Sequence, residues 1–204
     1  MVTPAKRVFD IIVSLVLIVL LLPVVVALAL AILLLDGRPV LYLSERMRSM
    51  DEGFTLWKFR TMRADADDRG VSGGDKSSRI TRTGRFMRRY RLDEIPQLWN
   101  ILTGDISFVG PRPPLRRYTE THPEIYARVL RSRPGVTGLA TLVFHRTEER
   151  LLAPCASKDE TEEIYCRRCI PRKAALDLVY QRRRTLCYDA RIMLATVLRR
   201  LSLH

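Results

Sequence analysis

Aromatic residues and phosphate-binding glycine motifs are both scarce in this sequence. Aromatic residues make up 7% of the 204 residues, and only two of them are tryptophans. Proteins that bind single-stranded nucleic acid stack bases on aromatic side chains interleaved with basic ones, so this composition argues against a nucleic-acid partner. No Walker-type motif is present, and the glycines at positions 70, 73 and 74 are by themselves weak support for a phosphate-binding loop.

Cysteine is also scarce, and its spacing leaves zinc binding as the less favoured interpretation. The chain has four cysteines, Cys155, Cys166, Cys169 and Cys187. The Cys-x-x-Cys pair at positions 166 and 169, together with the other two cysteines and His145, offers zinc-type ligands. The second cysteine pair of a zinc ribbon is lacking, however. In an intracellular context the cysteines need not form disulfides either.

Acidic residues are outnumbered by basic ones, which restricts the partners. Lysine and arginine total 35 against 22 aspartates and glutamates, a net charge of +13. Such a balance suits nucleic acid, an anionic membrane surface or phosphate-bearing substrates. Next to an apolar anchor, a basic surface favours contact with lipid. Residues 191–201 are basic and amphipathic, which is typical of a helix that lies on a membrane.

Charge is completely missing from residues 11–35, an apolar run of 25 residues. As one helix it would extend about 37 Å and could cross a hydrocarbon core of about 30 Å. The run is too long for a signal peptide and lacks a small-residue cleavage site. Pro23 lies in its middle and removes a backbone donor, while basic residues flank both ends. Two interpretations stay open: a spanning helix kinked at Pro23, and a re-entrant helix whose two arms use the same membrane face.

The next segments predict short elements joined by loops. Residues 40–47 and 54–59 are β-prone and predict a hairpin, whose second strand would direct Lys58 and Arg60 to one face. Residues 65–78 are polar and contain several glycines, which predicts a mobile loop. Further along, residues 123–131 predict a short helix and residues 134–138 a turn-rich loop.

An adjacent pair of carboxylates, Asp93 and Glu94, is the main candidate for chemistry. Five arginines precede the pair: Arg82, Arg85, Arg88, Arg89 and Arg91. If residues 82–93 form one helix, positions 82, 85, 89 and 93 share a face, and the arginines there would keep Asp93 ionised. Guanidinium groups also bind phosphate through paired hydrogen bonds. The alternative is a solvated basic helix with a structural acid pair.

Prolines predict the boundaries that follow the acid pair. Ile95 precedes Pro96, which disfavours helical torsions and ends the first helix near Glu94. Pro96 suits the first turn of a second helix that closes at Gly104, so the carboxylates would lie at a helix N-terminus, where anions bind. The sequence GPRPP at 110–114 then fixes an extended backbone around Arg112 and positions its guanidinium for an anion.

The segment LDEIPQLWNILTGDISFVGPRP, residues 92–113, resembles the signature of the bacterial sugar transferases, the monotopic phosphoglycosyl transferases that act on polyprenyl phosphate. Further matching motifs are KFRTM at 58–62, RIT at 79–81 and PGVTG at 134–138. The resemblance runs from about residue 6 to the C-terminus. This many motifs in the same order make chance similarity very improbable.

The resemblance implies a specific reaction and specific roles. A sugar-1-phosphate passes from a UDP-sugar to polyprenyl (undecaprenyl) phosphate, which releases UMP and starts glycan or exopolysaccharide assembly. In the family's covalent route Asp93 is the nucleophile and Glu94 binds Mg²⁺. Phosphates would be bound by Arg88 and Arg112, with Lys58 and Arg60 as weaker candidates. Arg146 and Asp177 are candidates for the nucleotide-sugar site.

The resemblance also implies the architecture and the location. The expected fold is α+β and mostly helical, with a proline-broken re-entrant membrane helix at residues 1–37. Residues 38–204 would form one cytoplasmic catalytic domain with a small β-hairpin and amphipathic interfacial helices. The expected location is the cytoplasmic face of the bacterial inner (plasma) membrane, with membrane lipids as partners. The oligomeric state stays open, with a homodimer as one option.

Two other function classes compete with the transferase. One is a membrane-anchored nucleotide-sugar hydrolase or phosphatase, which would release UMP without a lipid acceptor. The other is a non-enzymatic protein whose basic surface binds anionic lipid. The sequence does not identify the sugar or the glycan pathway.

Overall fold

The computed structural model describes residues 3–63 and 78–201, and in this part the protein is mostly helical. The mobile loop predicted at residues 65–78 lies almost entirely outside the described residues. The helices are α1 (Pro4–Leu35), α2 (Arg82–Tyr90), α3 (Gln97–Thr103), α4 (Arg116–Thr121), α5 (Pro123–Val129), α6 (Leu139–Leu152), α7 (Lys158–Ile164), α8 (Ile170–Arg183) and α9 (Leu186–Leu201). The strands are β1 (Leu41–Met47), β2 (Gly53–Phe59), β3 (Ser107–Val109) and β4 (Gly135–Thr137).

Helix α1 packs on the rest of the protein along its whole length. It stays helical across Pro23 and is long and apolar enough to cross a membrane. Asp10, Ser14 and Ile32 are buried, and partly buried apolar residues between them pack on two core clusters: Val13, Leu17, Ile18, Leu21, Val25, Leu28 and Ala29. The steps of three and four place these positions on one stripe. The opposite side is exposed, with Val19 73% accessible.

Both ends of α1 are attached to the same body of the protein. Near its start, the ammonium of Lys6 pairs with Asp189 of α9 and donates to the carbonyl of Val109 at 3.1 Å. Just past its end, the hydroxyl of Thr83 in α2 bonds the carboxylate of Asp36. The two ends of a 32-residue helix are therefore held by a single folded unit.

The predicted hairpin is confirmed, with nearly the expected bounds. Strands β1 and β2 pair antiparallel, with Leu41 opposite Phe59 and Met47 opposite Gly53. The backbone N–H of Trp57 donates to the side-chain oxygen of Asn100 at 3.1 Å. This bond attaches β2 to α3 and so places the hairpin beside the acid pair.

The predicted helix up to Glu94 is wrong, because α2 ends at Tyr90. Arg91 adopts a left-handed conformation with φ 57° and ψ 24°, and residues Leu92–Glu94 form a short 3-10 turn. A left-handed non-glycine residue costs about 1–2 kcal/mol. After this turn Glu94 pairs with Lys58, Arg91 and Arg112. Lys58 and Arg112 come from other segments, so the local sequence does not reveal these two pairs.

The second predicted helix is confirmed as α3, which begins after Pro96 and ends before Gly104. Gly104 has φ 90°, the left-handed conformation that glycine adopts without strain. The predicted helix at residues 123–131 is confirmed as α5, two residues shorter. The basic segment 191–201 lies within α9, where Leu194, Val197 and Leu198 are exposed.

The predicted turn-rich loop at 134–138 instead contains strand β4, which pairs parallel with β3. A Cβ on Gly110 would lie 2.2 Å from the carbonyl oxygen of Arg133. A Cβ on Gly135 would lie 2.2 Å from the backbone nitrogen of Gly110. The GPRPP segment at 110–114 and the PGVTG segment at 134–138 therefore pack backbone against backbone. This contact fixes the start of the segment that carries Arg112.

Candidate active site

A cavity of about 560 Å³ opens between the hairpin, the acid pair and helices α6 and α8. Strand β2 contributes Lys58 and the 3-10 turn contributes Asp93 and Glu94. The GPRPP segment contributes Arg112. Helix α8 contributes Asp177 from the other side. Elements spread over more than 130 residues of the chain thus meet at one site.

Glu94 is held by three cations through a single oxygen. Its Oε1 accepts from Lys58 Nζ at 2.9 Å, Arg91 Nη1 at 3.0 Å and Arg112 Nη2 at 3.3 Å. The residue is only 8% exposed, and burial alone would raise its pKa. The three positive charges outweigh burial and hold the pKa of Glu94 well below its ordinary value. Glu94 is therefore ionised over the whole physiological pH range.

Asp93 lies beside Glu94 but in a different electrostatic environment. It is 7% exposed, and its Oδ1 has no hydrogen-bond partner among the described residues. Burial and the charge of Glu94 raise the pKa of Asp93, although Lys58, Arg91 and Arg88 act in the opposite direction. The sequence analysis predicts that the arginines keep Asp93 ionised, which would lower its pKa. This prediction is wrong in sign, because the net shift of the pKa is upward. This oxygen is buried as well as unbonded, so Asp93 lacks the hydrogen bonds that a purely structural buried carboxylate makes.

The predicted set of cations beside Asp93 is partly wrong. Arg82, Arg85 and Arg89 are exposed on α2, because the left-handed turn at Arg91 takes the acid pair off that helix face. The cations that act on Asp93 are instead Lys58, Arg91 and Arg88. Two of these come from the predicted arginine cluster, and the third comes from a strand more than 30 residues earlier.

The other predicted phosphate ligands differ in how they are engaged. Arg88 lines the cavity and donates from Nε to the hydroxyl of Thr61 at 2.9 Å. Arg60 also borders the cavity, but its Nη2 donates to the carbonyls of Asp36 and Gly37 at 2.7 and 2.6 Å. That guanidinium therefore caps the end of α1. Arg112 keeps 39% of its side chain exposed and can turn its free N–H groups to a ligand.

The two candidates for the nucleotide-sugar site are separated by the structure. Arg146 is exposed on α6 and does not line the cavity, whereas Asp177 does. Asp177 is 7% exposed, and its Oδ1 has no hydrogen-bond partner in the described part of the chain. Burial raises the pKa of Asp177 to about 7, against the lowering effect of Lys173. The segment 134–138 packs on Gly110 rather than against this cavity.

The sequence analysis missed Arg46 of β1, which lines the same cavity. The strand register places Tyr42 opposite Lys58, and alternation puts Arg46 on the same face of β1 as Tyr42. The paired positions of the hairpin, together with this alternation, place Arg46 on the same face of the sheet as Lys58. A network on the α6–α8 side was also missed: Lys173 donates to Glu148 at 2.9 Å and to the hydroxyl of Tyr165 at 3.2 Å.

The acid pair fits the way in which proteins bind Mg²⁺ to phosphate substrates. Mg²⁺ is usually bound through one or two carboxylates together with substrate phosphates. The three cations bond Oε1 of Glu94, so its second oxygen takes none of these bonds.

Residues 3–63 and 78–201 contain no cluster of three or more His, Cys, Asp or Glu side chains arranged for a metal. All four cysteines are free thiols.

Comparison with known proteins identifies the family of this chain. The family described as bacterial sugar transferase matches residues 1–202. The UDP-glucose:undecaprenyl-phosphate glucose-1-phosphate transferase of Caulobacter vibrioides is 34% identical over 197 residues, which cover 94% of this chain and 68% of that protein. The enzyme of the same name from Escherichia coli is 31% identical over 196 residues, 94% of this chain and 39% of that protein.

A third relative carries a different sugar in its name. The putative undecaprenyl-phosphate N-acetylgalactosaminyl 1-phosphate transferase of Bacillus subtilis is 40% identical over 116 residues, 56% of this chain and 65% of that protein. Several relatives are much longer than the matched region, which spans 35% of the undecaprenyl-phosphate glucose phosphotransferase of Komagataeibacter xylinus. Because the family match covers nearly the whole chain, this protein belongs to the bacterial sugar transferase family.

Proposed function

We propose that this protein transfers a sugar-1-phosphate from a UDP-sugar to polyprenyl (undecaprenyl) phosphate, with release of UMP. The observation that carries the proposal is the acid pair. A buried aspartate with an unbonded oxygen lies beside a carboxylate that three cations keep ionised, and both face one cavity. Relatives named for this activity support it. The product would start the assembly of a glycan or exopolysaccharide.

In the first step Asp93 acts as the nucleophile. A carboxylate oxygen of Asp93 forms a bond to the β-phosphorus of the donor, and the bond from that phosphorus to the bridging oxygen breaks. The electron pair stays on the bridging oxygen, which leaves as part of UMP. Lys58 and Arg88 offset the charge near the attacking carboxylate. Mg²⁺, with Glu94 as its protein ligand, would neutralise phosphate oxygens in this site.

In the second step the carrier phosphate attacks the phosphorus of the phospho-aspartate. The bond between phosphorus and Asp93 breaks, which regenerates the carboxylate and yields the polyprenyl diphosphate sugar. The two steps reduce charge repulsion: a carboxylate, which carries less charge than a phosphate, attacks the diphosphate first, and the carrier phosphate then meets a single phosphoryl group after UMP and its charge have left. Arg112 is placed to hold a phosphate through both steps, since its side chain is partly exposed at the cavity.

We further propose that the membrane helix enters and leaves through one face of the bilayer. A straight α1 would be about 48 Å long, yet its two ends contact the same folded unit through Lys6 and Asp36. A spanning helix would separate these contacts by the hydrocarbon core. The same-face arrangement makes residues 1–37 a monotopic anchor and 38–204 a catalytic domain on the cytoplasmic face of the plasma membrane. Pro23 is then the bend that the bilayer requires.

The test is UMP release from a panel of UDP-sugars, with and without polyprenyl phosphate and Mg²⁺. The two-step transferase predicts that UMP release continues beyond one equivalent per protein only when both are present, because the first step alone releases a single UMP. Continued release without the lipid acceptor would indicate a hydrolase, and no release from any donor would indicate a lipid-binding protein. The covalent step is tested separately with donor labelled by ³²P at the β-phosphate. Wild type should retain label on the protein, and Asp93→Asn should not; equal labelling would exclude Asp93 as the nucleophile.

A further inference from the structure

Arg46 is a half-buried cation that has no acid partner in the described part of the chain. Its Nε donates to the hydroxyl of Ser44 at 3.3 Å, and it forms no ion pair with any described carboxylate. Burial, and after it the charge of the Arg112 guanidinium, lower the pKa of Arg46. A partly desolvated cation next to a like charge is unfavourable unless an anion is bound.

Four other cations of the cavity are already paired with carboxylates in the folded protein. Lys58, Arg91 and Arg112 share one oxygen of Glu94. Lys173 is paired with Glu148. Arg46 therefore differs from these four in having its charge uncompensated within the described residues, and the ligand that compensates it should be an anion in the cavity.

The position of Arg46 indicates which part of the donor it meets. Lys58, which is paired with Glu94, lies opposite Tyr42 in the hairpin, and Arg46 lies four residues farther along β1 on the same face. The N–H of the next residue, Met47, donates to the carbonyl of Pro114 at 2.9 Å, which holds this part of β1 beside the segment that carries Arg112. Arg112 in turn contacts Glu94, so it lies between Arg46 and the acid pair. Arg46 is therefore farther from Asp93 than Arg112 is. With the β-phosphorus at Asp93, the α-phosphate is the next anion outward.

We infer that Arg46 binds the α-phosphate of the donor, the group that leaves as a nucleoside monophosphate. This inference rests on the proposed transferase function and names the leaving-group subsite. When the bond between the β-phosphorus and the bridging oxygen breaks, the electron pair adds one negative charge to the departing phosphate. The guanidinium of Arg46 meets this charge with two-pronged hydrogen bonds. Arg46 thereby favours both donor binding and departure of the nucleotide.

The test compares UMP with uridine as ligands of the full-length protein in detergent or nanodiscs. The two differ by the phosphate alone, so the ratio of their dissociation constants reports the phosphate contact. In Arg46→Gln the preference for UMP over uridine should fall by about 10-fold or more, because charge-assisted hydrogen bonds are lost. Uridine affinity should stay as in wild type, which also shows that the cavity is folded. Arg46→Lys should recover part of the preference.

Arg48→Gln is the matched control, since Arg48 lies two positions away and pairs with Glu52 on the surface. It should leave the UMP preference at the wild-type value. An unchanged preference in Arg46→Gln, or an equal loss of UMP and uridine binding, would overturn the inference. The proposed function fails in a different way, namely if wild type releases no UMP from any UDP-sugar.

Discussion

Lys58 controls both carboxylates of the site, so its replacement by methionine is the most informative perturbation. Its Nζ lies 2.9 Å from Glu94 Oε1, and the two side chains are only 15% and 8% exposed. Its charge is also the strongest influence that lowers the pKa of Asp93. Lys58→Met keeps most of the side-chain length and removes only the ammonium. The change should therefore reduce the stability of the fold and shift the pH dependence of the reaction.

The stability effect can be worked from the ion-pair geometry. At 2.9 Å and an effective dielectric constant near 20, the gross attraction is about 6 kcal/mol. Desolvation of both groups offsets much of it, and breaking a buried pair usually costs about 3–5 kcal/mol. Arg91 and Arg112 remain on the same oxygen at 3.0 and 3.3 Å. We therefore expect the free energy of unfolding to fall by about 2–3 kcal/mol, at or just below the lower end of that range.

Thermal unfolding should show this as a decrease in Tm of about 5–10 °C for a protein of this size. The control is Arg116→Met, which removes a partner of Glu45 in an exposed pair with a 2.6 Å contact. Its effect should stay below about 1 kcal/mol, because surface pairs contribute little. Equal Tm changes in the two variants would refute the assignment of Lys58 to a buried network.

The pH dependence of UMP release tests the link from Lys58 to Asp93. Asp93, the proposed nucleophile, must be ionised to react, so activity should be lost as the pH falls through the pKa of Asp93. Loss of the Lys58 charge raises that pKa further above its ordinary value. The acidic limb of the profile should then move to higher pH in Lys58→Met. An acidic limb that stays in place, or moves to lower pH, would show that Lys58 does not act on the nucleophile.

Three further predictions concern other parts of the structure. Burial raises the pKa of Asp177 to about 7, so its contribution to folding stability is fully present below the ordinary pKa of an aspartate and is lost as the pH rises through 7. Asp177→Asn should therefore stabilise the protein at pH 8 by up to about 4 kcal/mol and have little effect at pH 4, as measured by thermal unfolding. Gly110→Ala should lower the free energy of unfolding by about 1–3 kcal/mol, because its Cβ would lie 2.2 Å from Arg133 O, and a Tm equal to wild type would contradict that contact. Single cysteines at Thr3 and Arg38, in a cysteine-free background, should both react with an impermeant maleimide from the cytoplasmic side only; reaction from opposite sides would exclude the same-face helix.

Local patterns were sufficient where one short segment decides its own conformation. The hairpin, the start of α3 after Pro96 and its end at Gly104 are confirmed. Proline and glycine set these boundaries through backbone torsions that do not depend on distant residues. The same patterns failed at Arg91, where α2 ends before the acid pair. There the turn brings Glu94 into ion pairs with Lys58 and Arg112, which come from other elements and are not visible in the local sequence.

By itself the sequence determined the family, the apolar anchor, and the identity of the two carboxylates, because each is written in contiguous residues. Only the tertiary structure decided which cations surround those carboxylates, that Asp93 has a raised pKa, and that Arg46 and Asp177 share their cavity. The reason is physical: charge interactions and desolvation act through space and depend on how the hairpin, the GPRPP segment and α8 pack together. Those distances are fixed by backbone contacts such as that of Gly110 with Gly135, which no single segment encodes.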